Sequence, residues 1–295
     1  MNTPSPPPTF VDQRIGELDS WIAIYRQVEL PVLRHTAAEI EALRENAENV
    51  NGRKLSAVIM HDPLMMLRVL AFIEQHRGKR QSTDITTIER ALMMIGIGPF
   101  FNTFQNLPLV EDRLKSHPKA LLGLLKVVAR ARKAVTWARD WAVYRHDLNT
   151  DEVIVATLLH DFAEILMWCF APALAIRVKE RQAADPTLRS VAIQEEAFGV
   201  PLFQLKLALA EEWKLPGLLT KLMDPQHADH PRVRNVKLAV DLARHSANGW
   251  NDAALPDDYA AIGELLRLGD EAVRKRIGVP EPEAEGAEAS RSSAG

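Results

Sequence analysis

Apolar residues recur three and four positions apart along almost the whole of this chain, and no convincing run of alternating β-branched residues interrupts them. That spacing lines up one face of a 3.6-residue helix, whereas a half-buried strand needs a period of two. The chain is therefore read as all-α. With 295 residues and 47% hydrophobic composition it has ample apolar surface for a real core. The net charge of −3, with both signs interspersed, creates no global field for nucleic acid or an anionic membrane. No window is expected to stay apolar for the roughly 20 residues a membrane helix needs, and Met1 to Pro8 has no basic and apolar leader. The single cysteine, Cys169, lies in the apolar stretch Ile165 to Phe170 and reads as buried packing in a reducing compartment. These features point to a cytoplasmic protein.

Several helix starts are written in the sequence. Thr36 with Glu39, Thr86 with Glu89 and Asn149 with Glu152 have capping-box spacing, and Asp62-Pro63 supplies an N-cap followed by proline at the first helical position. The helix from near Thr86 should end at Gly96-Ile97-Gly98-Pro99, by a left-handed glycine and a proline that cannot continue it. Further helices are predicted over Pro118 to Arg145, Asp151 to His160, Leu188 to Phe198, Leu202 to Trp213, Gly217 to Met223 and Arg232 to Ala247. A break around Leu107 to His117 suggests an N-terminal helical lobe over 11–110 and a C-terminal lobe over 111–278. Residues 1–10 are proline-rich and 279–295 acidic and small, compositions that bury little and are expected to lack structure.

Four segments, in order, carry a family resemblance: Leu30-Pro31-Val32-Leu33 with the later Asp62-Pro63-Leu64; Ile88 to Gly96; Leu158-Leu159-His160-Asp161; and Glu196 to Gly199 with Glu212-Trp213-Lys214-Leu215-Pro216 and Val240-Asp241-Leu242-Ala243. Together they resemble the HDOD family, over about Leu30 to Trp250. The resemblance implies a multi-helix bundle related to the HD phosphohydrolases, with the N-terminal lobe packed on an HD-like lobe, found in bacterial signalling proteins and usually non-catalytic. The chain departs from the family at Ile73-Glu74, where asparagine and serine are common, and at Phe162-Ala163, where isoleucine and glycine are.

In an active HD enzyme a histidine–aspartate pair, an earlier histidine and a late aspartate hold divalent ions, which acidify a water for attack on phosphorus. By resemblance His160, Asp161 and Asp241 match the pair and the late aspartate, and the early histidine is replaced within Ala129-Arg130-Ala131-Arg132-Lys133. Cations facing such a site would repel a metal, so the site reads as degenerate, with no cofactor or, were it intact, manganese, iron or magnesium. His117 beside Pro118 is a poor substitute, and His227 and His230 read as a polar loop. A hydrogen-bonded His160 tying helices together without metal is an equal alternative.

Lys126, Arg130, Arg132, Lys133 and Arg139 fall on one predicted helix near Trp137 and Trp141, so Arg130, Arg132 and Lys133 are candidate ligands for a nucleotide phosphate or RNA. The competing reading is a solvated basic face with both tryptophans turned inward. Met60, Met65, Met66, Met93 and Met94 suggest either an adaptable partner groove or plain core filling. Three functions follow: a regulatory domain acting through a protein from another chain or a small ligand, a divergent metal-dependent phosphohydrolase, and a nucleotide or RNA sensor. The first is preferred, which leaves enzymatic activity open but disfavoured.

Overall fold

The computed structural model describes residues 10–76, 84–185 and 188–280. The proline-rich start and most of the acidic tail, both expected to lack structure, lie outside the described residues. Within them the architecture is all-helical, and the sole extended pairing is an isolated parallel bridge between Val32 and Leu109. The first part of the chain forms α1 (Leu18–Gln27), α2 (Arg34–Glu45), α3 (Gly52–Ile59), α4 (Pro63–His76), α5 (Ile88–Ile95), α6 (Ile97–Thr103) and the single turn α7 (Val110–Arg113). Then follow α8 (Pro118–Tyr144), α9 (Thr150–Leu159), α10 (Phe162–Phe170), α11 (Pro172–Ala184), α12 (Ser190–Phe198), α13 (Leu202–Glu212) and α14 (Gly217–Leu222). The bundle closes with α15 (Pro231–His245), α16 (Leu255–Leu266) and α17 (Asp270–Ile277).

The long α8 is the axis, with α9, α10, α11 and α15 packed around it. Its buried stripe runs through Leu124, Val128, Ala131, Ala134, Ala138, Trp141 and Ala142. The run of alanines lets neighbouring helices approach closely. Trp137 and Trp141 are both turned into this core. From the other end of the chain α1 packs on α13, with Trp21 Nε1 donating to the Phe198 carbonyl at 3.1 Å and the Tyr25 ring edge-on to Phe170 at 5.4 Å between centroids.

Asp62 behaves as its sequence context implies: Oδ1 accepts from the Leu64 N–H at 2.9 Å and from the Met65 N–H at 3.2 Å, capping α4. The other capping expectations are corrected. Thr36 lies buried inside the first turn of α2, whose leading N–H groups are met from elsewhere, Leu33 by Asp62 Oδ2 at 2.8 Å and Arg34 by Glu111 Oε2 at 2.9 Å. The cap of α5 is Thr87, while Thr86 donates to Glu152 Oε1 at 2.9 Å. Asn149 makes no side-chain cap; its own N–H donates to Asp147 Oδ1 at 2.9 Å, while Glu152 accepts from Arg232 at 3.1 Å. At the start of α2 and at Thr86 a partner distant in sequence takes the bond; at Asn149 it is the near neighbour Asp147. Gly96 does end α5 with a positive φ of 82°, but its ψ of 152° lies outside the left-handed helical region, and α6 starts at the next residue with Pro99 in its first turn.

One further expectation changes. Thr150–Phe170 is apolar and long enough to pass as a membrane span. It is 83% buried inside the bundle and is broken between α9 and α10 at His160 and Asp161.

Candidate functional site

The His160–Asp161 pair sits at that break. Nearly every residue of α9 and α10 around it is buried and apolar, so two polar side chains placed here must find their partners inside the protein or carry a large desolvation cost. They find them on three other helices. His160 Nδ1 donates to Asp161 Oδ1 at 2.9 Å, and its Nε2 accepts from the Lys206 ammonium of α13 at 3.5 Å. Asp161 Oδ2 accepts from Arg130 Nη2 of α8 at 2.7 Å, and Arg244 Nη2 of α15 lies 3.3 Å from both Asp161 oxygens. Arg130 Nη2 is also 2.7 Å from Glu164 Oε2, one turn beyond Asp161. Lys206 completes its coordination on the Met223 carbonyl at 2.9 Å. The pair is thus the hub of a polar network that joins α8, α10, α13 and α15.

Burial would raise the Asp161 carboxyl, but Arg244 and Arg130, with the bond from His160, overcome it and hold the group well below the usual carboxylate range. Burial lowers the His160 imidazole, and Lys206 beside it acts in the same sense, so the ring is neutral with its proton on Nδ1. Burial also brings the Lys206 ammonium down to about 8, against the attraction of Asp161.

These groups do not fit a divalent ion. Both His160 nitrogens and both Asp161 oxygens are already engaged by protein groups, and no group of three or more histidine, cysteine, aspartate or glutamate residues among the described residues is arranged to hold a metal. Each cation about 5 Å from a divalent ion opposes it by roughly 7 kcal/mol at an effective dielectric of about 20. Here Arg130, Arg244 and Lys206 all converge on the pair, and Asp161 and Glu164 have lone pairs committed to them.

The remaining expected site residues are dispersed. Asp241 lies one turn before Arg244 but pairs with Lys237 on its own helix. Arg132 Nε donates to the His61 carbonyl at 2.7 Å. Lys133 lies over the Trp137 and Trp250 rings at 4.8 and 5.2 Å. Of the three basic residues named as a ligand set, the structure brings only Arg130 to the pair. His117 packs edge-on to Phe10 at 4.7 Å, and His227 and His230 are exposed in the polar segment before α15, where His230 Nδ1 accepts from the Arg232 N–H at 3.2 Å as the N-cap. Met65 and Met66 fill the core, whereas Met93 and Met94 are exposed. Glu164, Lys206 and Arg244 were not named from the sequence as site residues. Lys206 had a legible signal, as the one cation in the otherwise apolar run Leu205-Lys206-Leu207-Ala208-Leu209.

Residues 30–229 match the family model of the HDOD domain. The chain belongs to the HDOD family. Solved structures share its fold. The MmoQ response regulator from Methylococcus capsulatus str. Bath superposes with a TM-score of 0.64 at 19% identity, over 86% of this chain and 99% of that one. A virulence factor from Campylobacter jejuni subsp. jejuni gives 0.62 at 18% identity, over 89% and 93%. No curated protein matches the chain in sequence. The HDOD match stops before α15, so Arg244 and Asp241 lie on an element beyond it.

Proposed function

We propose that this HDOD protein is a non-catalytic cytoplasmic regulatory domain that acts by binding a protein from another chain or a small signalling ligand. One observation carries the reading: Arg130, Arg244 and Lys206 satisfy His160 and Asp161 from within the protein. An HD hydrolase needs those same lone pairs for metal. The pair then serves as a cross-link between four helices, and function moves to the surfaces those helices present. Dispersal of Arg132 and Lys133 to separate partners favours this reading over a nucleotide or RNA site on α8.

The test is metal content by elemental mass spectrometry after incubation with manganese and iron and desalting, together with turnover of a generic phosphodiester. The expected result is a folded protein that retains no stoichiometric metal and shows no turnover. About one ion per chain, lost in His160→Ala along with phosphodiesterase activity, would overturn it.

A further inference from the structure

A cleft of about 460 Å³ opens between the C-terminal end of α8, the start of α15 and the end of α16. That is the size of a small-molecule site. Its charged wall holds three arginines, Arg145, Arg234 and Arg267, against two carboxylates, Asp229 and Glu264. None of these residues belongs to the polar network around His160.

The charges do not cancel within the protein. Arg234 and Glu264 neutralise each other in an ion pair. Arg145, Arg267 and Asp229 form no ion pair among the described residues. Arg145 Nη1 donates to the Pro231 carbonyl at 3.2 Å, which ties the guanidinium to the cleft wall without neutralising it. Arg145 also acts on Asp147, but the Asp147 oxygens are already held by Arg232 at 2.6 and 2.8 Å. Two unanswered guanidiniums and one carboxylate remain.

The backbone adds a second mark. Arg267 ends α16 at φ 57° and ψ 45°, the left-handed conformation that glycine adopts at least cost. Of the four non-glycine residues with positive φ among the described residues, Arg267 lines the cleft and His146, at φ 55°, directly follows Arg145. Strained backbone of this kind concentrates where side chains are held for a ligand.

Two guanidiniums suit a dianion, and their planar forks match the oxygens of a phosphate. A phosphate monoester carries a charge of about −1.5 to −2 near pH 7. A single carboxylate would leave one arginine unanswered. Asp229 can only accept, so the ligand must also bring a hydroxyl or N–H donor. Tyr144, 40% exposed, gives the cleft an apolar side for the body that carries this donor.

We infer that the cleft binds a small organic phosphate monoester, its phosphate between Arg145 and Arg267 and a hydroxyl or amino group of its body donating to Asp229. The inference rests on the regulatory reading, whose small-ligand form it supplies with a site and a ligand class.

Isothermal titration calorimetry of the full chain tests it. The probes are adenosine 5′-monophosphate, guanosine 5′-monophosphate and glucose 6-phosphate, with adenosine, guanosine and glucose as their uncharged counterparts. At least one phosphate is expected to bind with Kd below about 1 mM, and its counterpart not to bind. Which phosphate binds tells a nucleotide from a sugar phosphate. Arg267→Gly removes the cation at a position whose backbone favours glycine, so its melting temperature should hold or rise. Its affinity should fall at least about tenfold. Arg145→Gln should weaken binding to a similar degree, and Lys126→Gln, about five turns earlier on α8, should not. Tighter binding by Asp229→Asn would overturn the role given to Asp229. A wild type that binds none of the three phosphates, or binding unchanged in Arg267→Gly, overturns the inference and leaves the regulatory reading standing. Metal uptake with turnover, alongside phosphate binding that needs Arg267, would overturn that reading and leave the cleft site standing.

Discussion

Arg130 Nη2 stands 2.7 Å from Asp161 Oδ2 and 2.7 Å from Glu164 Oε2, so one guanidinium nitrogen holds two carboxylates on successive turns of α10. All three side chains are less than one fifth exposed. Removing the cation leaves buried negative charge answered only by Arg244, the His160 bond and the more distant Lys206. Arg130→Leu should therefore lower the unfolding free energy by about 3–5 kcal/mol, measured by chemical denaturation, and Arg130→Lys should restore only part of it, since an ammonium lacks the planar fork. A loss below about 1 kcal/mol would mean that this bridge does not hold α8 to α10.

Lys206 should write itself into the pH dependence of stability. Its folded value is brought down to about 8 by burial, against about 10.4 for an unfolded chain. Between these values the unfolded state binds more protons, so unfolding free energy rises with pH. Stability in wild type should climb from about pH 8 toward pH 10 by as much as roughly 3 kcal/mol relative to Lys206→Met. Parallel pH profiles for the two proteins would refute the assignment. On the acid side His160 acts with the same sign. Burial lowers its folded value, so stability is lost as pH falls below the unfolded value of about 6.5.

Two glycines are held by close approaches rather than by turns alone. A Cβ on Gly199, where φ is +84°, would come within 2.2 Å of the Ile15 carbonyl oxygen. Gly199→Ala should destabilise the protein by at least about 2 kcal/mol and detach the segment before α1, read as faster proteolysis between residues 10 and 17. At Gly123, inside α8, helix propensity alone favours alanine by about 1 kcal/mol. The added Cβ would lie 2.6 Å from the Trp168 ring, and overpacking of about 1–3 kcal/mol should reverse the sign. A higher melting temperature for Gly123→Ala would show that Trp168 can move aside.

Asp62 serves two helices at once, accepting from Leu33 on one oxygen and from Leu64 and Met65 on the other. It is fully buried, so Asp62→Ala leaves three N–H groups without their acceptor. The expected cost is about 2–4 kcal/mol in equilibrium unfolding. A cost near 1 kcal/mol would mean that only the local cap on α4 matters.

Half of what Asp62 does was legible in the chain and half was not. Its place before Pro63 announces the cap on α4, because both groups lie within three residues. Its bond to Leu33 spans 29 positions, and no local pattern encodes it. The misplaced caps at Thr36 and Thr86 fail for the same reason: the spacing was sound, but Glu111 and Glu152 offered bonds from elsewhere, whereas at Asn149 the nearer Asp147 took the N–H. At the site, His160, Asp161 and the basic run on α8 were visible as residue types. Which member of that run faces the pair was not, because Arg130 and Lys133 lie one turn apart on the same side of the helix, with Arg132 on another, and only the packing of α10 and α15 chooses among them.

By itself, then, the sequence determined that the chain is helical, where most helices lie, and that a histidine–aspartate pair interrupts a largely apolar stretch. These are matters of periodicity and neighbouring residues, set within a few turns of chain. Only the tertiary structure decided what answers the pair. Arg130, Lys206 and Arg244 are separated from it by 31, 46 and 83 positions. Charges so far apart along the chain meet because burying the apolar faces of α8, α9, α13 and α15 brings them together, and there they satisfy one another.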